Sequence, residues 1–302
     1  MSGPEAFDLT AADGTRLRAE AYQAAPGPGG GPILLVVHGL ASHTGWYRWI
    51  GEELASRGTS TYLMDRRGTG LSQGVRGHMT SWRLLIEDLE NLLAEIQSRH
   101  GAGPVHALGV SLGAVITLAG SILRPEMFES QILLSPGLAA RVRIGLRRRL
   151  RLLSSHVMTP TALFDLPFTV DQLTDRPHWR DIFENDPLRT RRVSARFLFE
   201  TLRMQRFVLT RMRALRPPVY ALLAERDAII DNDAVVRALS RNRTGRVRIE
   251  IFRGASHNLP AAVGRPAIVD RVDQWMRADG IPLGVEIQHT EVDQAMDADP
   301  VG

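Results

Sequence analysis

Apolar and polar residues alternate at the start of the chain. In "FDLTAADGTRLRAEAY" the alternation runs on both sides of Asp13-Gly14, the pattern of two antiparallel strands joined by a tight turn. "QAAPGPGGGP" has no capacity for regular structure and reads as a loop. The pattern then changes to short, continuous apolar runs. "ILLVV", "STYLMD", "VHALGV" and "SQILLS" have no polar face, as expected of strands covered on both sides in a parallel sheet. Between them the period lengthens. Trp46, Ile50 and Leu54 predict a helix to Arg57, and Trp82, Leu85, Ile86, Leu89, Leu92, Leu93 and Ile96 share one helical face. Ser111 to Leu123 reads as a further helix, and "RRGTGLSQGVRGH" as a long glycine-rich loop.

After Pro136, beyond the sixth strand, this alternation fails. Residues 137–216 read as helical, with no clear strand until "PVYALLAE" at Pro218 to Glu225. A helix near Asp231 to Ser240, the strand "VRIEIF" and a helix near Pro266 to Arg277 complete the pattern. Strands alternating with helices predict an α/β fold, a mostly parallel central sheet with crossover helices on its faces. The expected division is a core of residues 1–136 and 217–282, a helical insertion at 137–216, and an acidic tail at 283–302 that lacks periodicity and is expected to be mobile.

Composition adds constraints. The chain has 302 residues, no cysteine and 44% hydrophobic residues, enough for a large core and incompatible with thiolate catalysis or Cys-ligated zinc. The N-terminal residues show neither a basic region nor an apolar run of the signal-peptide kind, and the apolar stretches are too short to cross a bilayer, so a cytoplasmic protein is expected. Every one of the 37 basic residues is arginine. Residues 137–216 hold 17 of them against seven acids, a local charge of +10 within a net +4, so the rest of the chain is acidic. Within this segment Val142, Leu146, Leu150, Leu153 and Val157 fall on one helical face, with Arg141, Arg143, Arg147, Arg148, Arg149 and Arg151 around most of the remainder. Two readings fit: a surface helix with its apolar side turned to the core, or a basic amphipathic helix that meets an anionic membrane or guides an anionic, lipid-like substrate. Nucleic-acid binding is not expected, because the rest of the chain is acidic and aromatic residues do not interleave the arginines.

Chemistry concentrates where strands end. "ALGVSLGAVITLAG" interrupts an apolar run with Gly-x-Ser-x-Gly at a strand-to-helix junction, a turn sharp enough to strain the serine and expose its hydroxyl at the carboxyl edge of the sheet. A serine needs a base, and His257 in "FRGASHNLP" lies between the last expected strand and helix, at the same edge. His38, His43, His78 and His106 are less suited. A carboxylate is needed to orient the base, and Asp227 follows directly on the preceding strand, whereas Asp231 and Asp233 sit where helix caps are expected. The backbone amides of Leu40, in "HGLA", and Leu112 are placed to stabilise an oxyanion. No His-x-x-x-His-type cluster appears, so neither a metal nor another cofactor is expected.

With Ser111, Asp227 and His257 in that chain order, the sequence resembles the α/β-hydrolase superfamily, and within it the monoacylglycerol lipase and lysophospholipase-like serine hydrolases. The resemblance runs from about Ile33 to Arg277 through "VVHGLASHTGWY", "DRRGTGLSQGVRGH", "GVSLG", "LLSPG", "NDPL", "AERD" and "GASHNL". It implies the α/β-hydrolase fold, a cap over the site at roughly residues 137–210, and the roles of nucleophile, orienting carboxylate and base for Ser111, Asp227 and His257. Val110 and Leu112 beside the serine, and Thr69 in Arg-Gly-Thr-Gly, depart from the commonest relatives. The expected reaction is hydrolysis of a carboxylic ester with an apolar acyl group (monoacylglycerol, lysophospholipid or short-chain ester) through an acyl-enzyme. The alternative is an acyltransferase, thioesterase or biosynthetic tailoring enzyme using the same three residues.

Overall fold

The computed structural model describes residues 3–25, 31–141, 145–278 and 284–292. The first part of the chain runs β1 (Glu5–Thr10), β2 (Arg16–Tyr22), β3 (Ile33–Val37), α1 (Arg48–Ser56), β4 (Ser60–Met64), α2 (Trp82–His100), β5 (Val105–Val110), α3 (Leu112–Leu123) and β6 (Gln131–Leu134). Then follow α4 (Leu146–Met158), β7 (Leu163–Asp165), α5 (Val170–Leu173), α6 (Pro177–Asn185), β8 (Arg192–Ser194) and α7 (Ala195–Arg211). The chain returns to the sheet with β9 (Val219–Ala224), α8 (Asn232–Leu239), β10 (Arg246–Arg253), α9 (Leu259–Val263), α10 (Arg265–Arg277) and β11 (Gly284–Glu291).

Nine strands form one sheet in the order β1-β2-β4-β3-β5-β6-β9-β10-β11. Only the pairings β1–β2 and β2–β4 are antiparallel. Every residue of β3, β4, β6 and β9 is buried, which is why these segments carry no polar face. Leucines, isoleucines and valines from α2, α3, α7 and α8 cover one face, and α1, α9 and α10 cover the other. Fully burying one such side chain contributes about 1.5–3 kcal/mol, so the sheet is a rigid platform for whatever stands on its edge. Register brings the carboxyl ends together: Val37 pairs with Gly109, Val110 with Leu134, and Leu134 with Leu222. Among the described residues no helix is long and apolar enough to cross a membrane.

Two features differ from the sequence-based expectation, and a third bears on a choice that the sequence left open. Residues 284–291, expected to be an irregular mobile tail, form β11, paired in parallel with β10 from Arg246↔Gly284 to Arg253↔Glu291. An edge strand buries little, so hydrophobic patterning cannot reveal it; polar links such as Arg253 to Glu291 at 2.8 Å and Thr290 Oγ1 to Glu250 at 2.7 Å fasten it instead. Residues 293–302 of the expected tail lie outside the described residues. Second, the insertion between β6 and β9 includes a small antiparallel sheet of β7 and β8 among its helices. Third, the apolar face of α4 is not turned to the core. Leu146 and Val157 are 71% and 79% exposed, Leu150 and Leu153 are also exposed, and Leu152 is the buried residue. Val142 of the expected apolar face and Arg143 of the expected basic one lie outside the described residues.

Candidate active site

Ser111 sits between the last residue of β5 and the first of α3 with φ 51° and ψ −109°. Left-handed backbone at a non-glycine residue costs about 1–3 kcal/mol and persists only where the surroundings enforce it. Here the Ser111 amide donates to the Leu134 carbonyl at 2.9 Å, and its own carbonyl accepts from Gly137 at 2.9 Å and Ala114 at 3.2 Å. The glycines are required by space. A Cβ on Gly113 would lie 1.9 Å from the Val37 carbonyl oxygen, and one on Gly109 2.4 Å from the Ala114 Cα. Strand, turn and helix are thereby packed backbone to backbone, with Ser111 at the apex.

Asp227 and His257 arrive from neighbouring strands. Asp227 lies in the turn after β9 and His257 in the loop after β10, both buried. Asp227 Oδ2 lies 2.7 Å from His257 Nδ1, and its Oδ1 accepts the amides of Ile229 and Ile230 at 2.8 Å each. A carboxylate so held accepts Nδ1–H and leaves Nε2 as the basic nitrogen. The His257 carbonyl is in turn held by the Ser135 hydroxyl at 2.8 Å. Asp231 caps α8 by accepting the Ala234 amide at 3.0 Å, as its position suggested. His106 is buried within β5 and His78 contacts Ser194 at 2.8 Å.

Two cavities meet at Ser111. The larger, of about 670 Å³, is walled by Leu112, Leu152, Phe168, Leu198, Phe199, Ile229 and other mostly apolar side chains, many of them from the insertion. Thr201, Gln205 and, at the rim, Arg149 are its polar lining besides Ser111. The smaller, of about 40 Å³, lies towards His257, between Trp46, Tyr47, Val110 and Leu259. Leu40, Phe168 and Ile229 line both. Thus Val110 and Leu112, which flank the serine, face different cavities. Thr69 faces neither; it is buried, its hydroxyl donating to the Arg66 carbonyl at 2.7 Å. Among the described residues no cluster of three or more His, Asp or Glu is placed to hold a metal ion.

Leu40 follows β3, in a loop fastened to the insertion by contacts that the sequence-based reading did not anticipate. Asp186, just after α6, accepts from Trp46 Nε1 and lies 2.9 Å from His43 Nε2, while its other oxygen takes the Leu188 amide at 2.8 Å. Burial raises its affinity for a proton, but the hydrogen bonds from Trp46 and His43 outweigh it and hold the carboxyl below its usual range. Trp46 stacks on Phe183 of α6 with ring centroids 4.1 Å apart. The Thr190 amide donates to the Ala41 carbonyl at 2.9 Å. Asp186 belongs to the "NDPL" stretch, but only the fold brings it against His43, 143 positions earlier.

Residues 31–261 match the model of the family described as "Serine aminopeptidase, S33". The chain is 24% identical over 255 residues to a monoglyceride lipase homolog of Monkeypox virus, covering 81% of this chain and 88% of the relative. It is 25% identical over 207 residues to phospholipase YtpA of Bacillus subtilis, covering 68% and 79%. The crystal structure of a soluble variant of monoglyceride lipase from Saccharomyces cerevisiae, in complex with a substrate analog, superposes with a TM-score of 0.81 at 16% identity, over 92% of this chain and 96% of that one.

Proposed function

Because the chain belongs to the serine aminopeptidase S33 family of α/β-hydrolases, we propose that it is a serine carboxylic-ester hydrolase that cleaves lipid-like esters through an acyl-enzyme. The observation that carries this reading is the buried Asp227–His257 pair at 2.7 Å, whose histidine lines the smaller cavity together with a strained Ser111 that also opens onto a large apolar cavity. Names of relatives, monoglyceride lipase and phospholipase among them, support the choice of a lipid ester.

In the proposed reaction, the Ser111 hydroxyl oxygen bonds to the ester carbonyl carbon while its proton passes to His257 Nε2. The carbonyl oxygen takes the negative charge and meets the amides of Leu40 and Leu112. Asp227 keeps the imidazole in the productive tautomer and stabilises its cation. Collapse breaks the bond to the alcohol oxygen, which leaves with the proton from His257. Water then repeats the sequence, frees the carboxylic acid and restores Ser111. The 670 Å³ cavity suits the acyl chain and the smaller one the alcohol.

Residues 137–216 act in this account as a cap whose side chains wall the acyl cavity. Its exposed Leu146, Leu150, Leu153 and Val157 lie on α4 among arginines, a surface suited to resting on an anionic bilayer, from which a lipid enters the rim. Co-sedimentation with phosphatidylglycerol vesicles, weakened when Leu150 and Val157 are replaced by Asp, tests that contact; equal binding of the variant would refute it.

Ser111→Ala should lower ester hydrolysis by about 10⁴-fold or more, without loss of folding. Activity retained by the pure variant would reject the nucleophile assignment. An apolar, water-poor cavity also favours acyl transfer, and competing alcohols distinguish the two outcomes: ester products in place of free acid would establish a transferase.

A further inference from the structure

The Gly39–Leu40 peptide has two ends, and the reaction uses one of them. Its N–H belongs to Leu40, the proposed oxyanion donor, and no backbone carbonyl among the described residues accepts it. Its carbonyl, on Gly39, points the other way and accepts two donors: Arg66 Nη2 at 2.7 Å and His38 Nδ1 at 2.9 Å. The proton on His38 is assigned by the rest of the ring. Its Nε2 accepts the Arg66 backbone amide at 3.1 Å, so Nδ1 bears the hydrogen. Burial and the neighbouring Arg66 charge hold His38 well below the usual histidine range, which keeps the ring neutral.

Arg66 is an unusual residue to find here. It is 3% exposed, and burial draws its guanidinium down only to about 10, so it stays charged at neutral pH. Its donors go to the carbonyl oxygens of Gly39 and, at 3.4 Å, Leu40, not to a carboxylate. Adjacent Asp65 has its oxygens occupied by the Thr44 and Leu71 amides, at 2.8 and 2.7 Å. A buried cation unpaired with a carboxylate, as this one is among the described residues, is costly, and its shortest hydrogen bond goes to the Gly39 carbonyl. A peptide is planar, so two donors on its oxygen fix the direction of its N–H. A cation on the oxygen also draws electron density from the nitrogen and makes the N–H a stronger donor, the cooperative polarisation of linked hydrogen bonds.

We propose that Arg66 and His38 are positioning residues that orient and polarise the Gly39–Leu40 peptide, so that the Leu40 amide stabilises the oxyanion more strongly than an ordinary amide. The proposal rests on the reading of Ser111 as nucleophile and Leu40 as oxyanion donor. Neither residue touches substrate; both act through one backbone unit, and the charge that develops on the substrate oxygen is the part of the reaction they affect.

The test compares Arg66→Gln, Arg66→Lys and His38→Gln with the wild type. The readouts are kcat, KM, inhibition by a long-chain trifluoromethyl ketone and binding of the chain-matched alcohol, which forms no oxyanion. Removing one oxyanion donor costs about 10²–10³-fold, so loss of polarisation with the amide retained is expected to cost about 10- to 100-fold. Arg66→Gln should lose this factor in both kcat and trifluoromethyl ketone affinity, with KM and alcohol binding unchanged within about twofold. Arg66→Lys, which keeps a cation, should recover most of it, and His38→Gln should show a smaller loss of the same kind. The pH profile of kcat/KM should keep its shape, because the base is untouched. The proposal is overturned if a folded Arg66→Gln protein retains kcat and inhibitor affinity, or if KM and alcohol binding weaken by the same factor. Should the Arg66 variants not fold, His38→Gln decides by the same criteria. In the trifluoromethyl ketone adduct the Leu40 amide proton should move strongly downfield in the wild type and clearly less in Arg66→Gln; an equal shift in the two also overturns the proposal. Hydrolysis that survives Ser111→Ala would instead overturn the underlying nucleophile assignment.

Discussion

Gly113→Ala adds one methyl group to the protein, and the structure specifies where it must go. The new Cβ would stand 1.9 Å from the Val37 carbonyl oxygen, 2.6 Å from the Val37 carbonyl carbon and 2.9 Å from the His38 oxygen. All three are backbone atoms in or next to a buried strand of the sheet, so no side chain can swing aside. Restoring an ordinary contact of 3.4 Å to the Val37 oxygen requires a shift of about 1.5 Å. That displacement falls on the start of α3, and hence on Ser111 and the Leu112 amide. Overpacking of this kind costs about 3 kcal/mol, and misplacing a catalytic group by an ångström costs about 10²-fold in rate. Urea unfolding of Gly113→Ala should therefore show a loss of about 3 kcal/mol. In the fraction that remains folded, kcat/KM for a p-nitrophenyl ester should fall by about 10²-fold. Gly103→Ala is the control: its Cβ meets nothing within 4 Å, and stability should stay within about 0.5 kcal/mol of wild type. If Gly113→Ala matched Gly103→Ala in both measurements, the close packing of strand, turn and helix would not be what positions the serine.

Asp227→Asn should reduce kcat by about 10⁴-fold with little change in KM, since the amide no longer selects the tautomer with Nδ1–H; a loss below tenfold would contradict that role. Asp186→Ala should remove the link from the insertion to His43 and Trp46, lowering stability by about 2 kcal/mol and kcat by about tenfold, measured by urea unfolding and steady-state kinetics. An unchanged kcat would show that the Leu40 loop holds its place without it. Burial lowers the pKa of His106 to about 4, so between about 6.5 and 4 the unfolded chain binds a proton that the folded chain does not. Its contribution is complete above the unfolded value and is lost as pH falls through this window, by about 3 kcal/mol. His106→Gln should flatten the pH dependence of the urea midpoint there, and parallel curves for variant and wild type would contradict the assignment.

The alternation of strands and helices and the places of Ser111, Asp227 and His257 at strand ends were legible because each depends on local chemistry. Continuous apolar runs mark buried strands, and Gly-x-Ser-x-Gly at such a strand end leaves few conformations. The structure brings Asp227 to His257 and leaves Asp231 as a cap, as the spacing suggested. Asp186 was not legible as a partner of the Leu40 loop, because nothing near it encodes a contact 143 positions away. The same holds for Arg66 and His38, whose shared acceptor is one backbone carbonyl. β11 escaped notice because an edge strand is held by backbone pairing and polar links rather than by burial. The period of α4 was readable, but not which way its apolar side faces, which the rest of the insertion decides.

If Ser111 is the nucleophile of an acyl-transfer reaction, it is open to covalent capture. The protein is treated with a long-chain fluorophosphonate, digested and analysed by peptide mass spectrometry. A single adduct on Ser111 is expected, absent from Ser111→Ala and formed far more slowly in His257→Gln, with ester hydrolysis lost in step with labelling. An adduct on another residue, or hydrolysis that persists once Ser111 is blocked, would contradict the account.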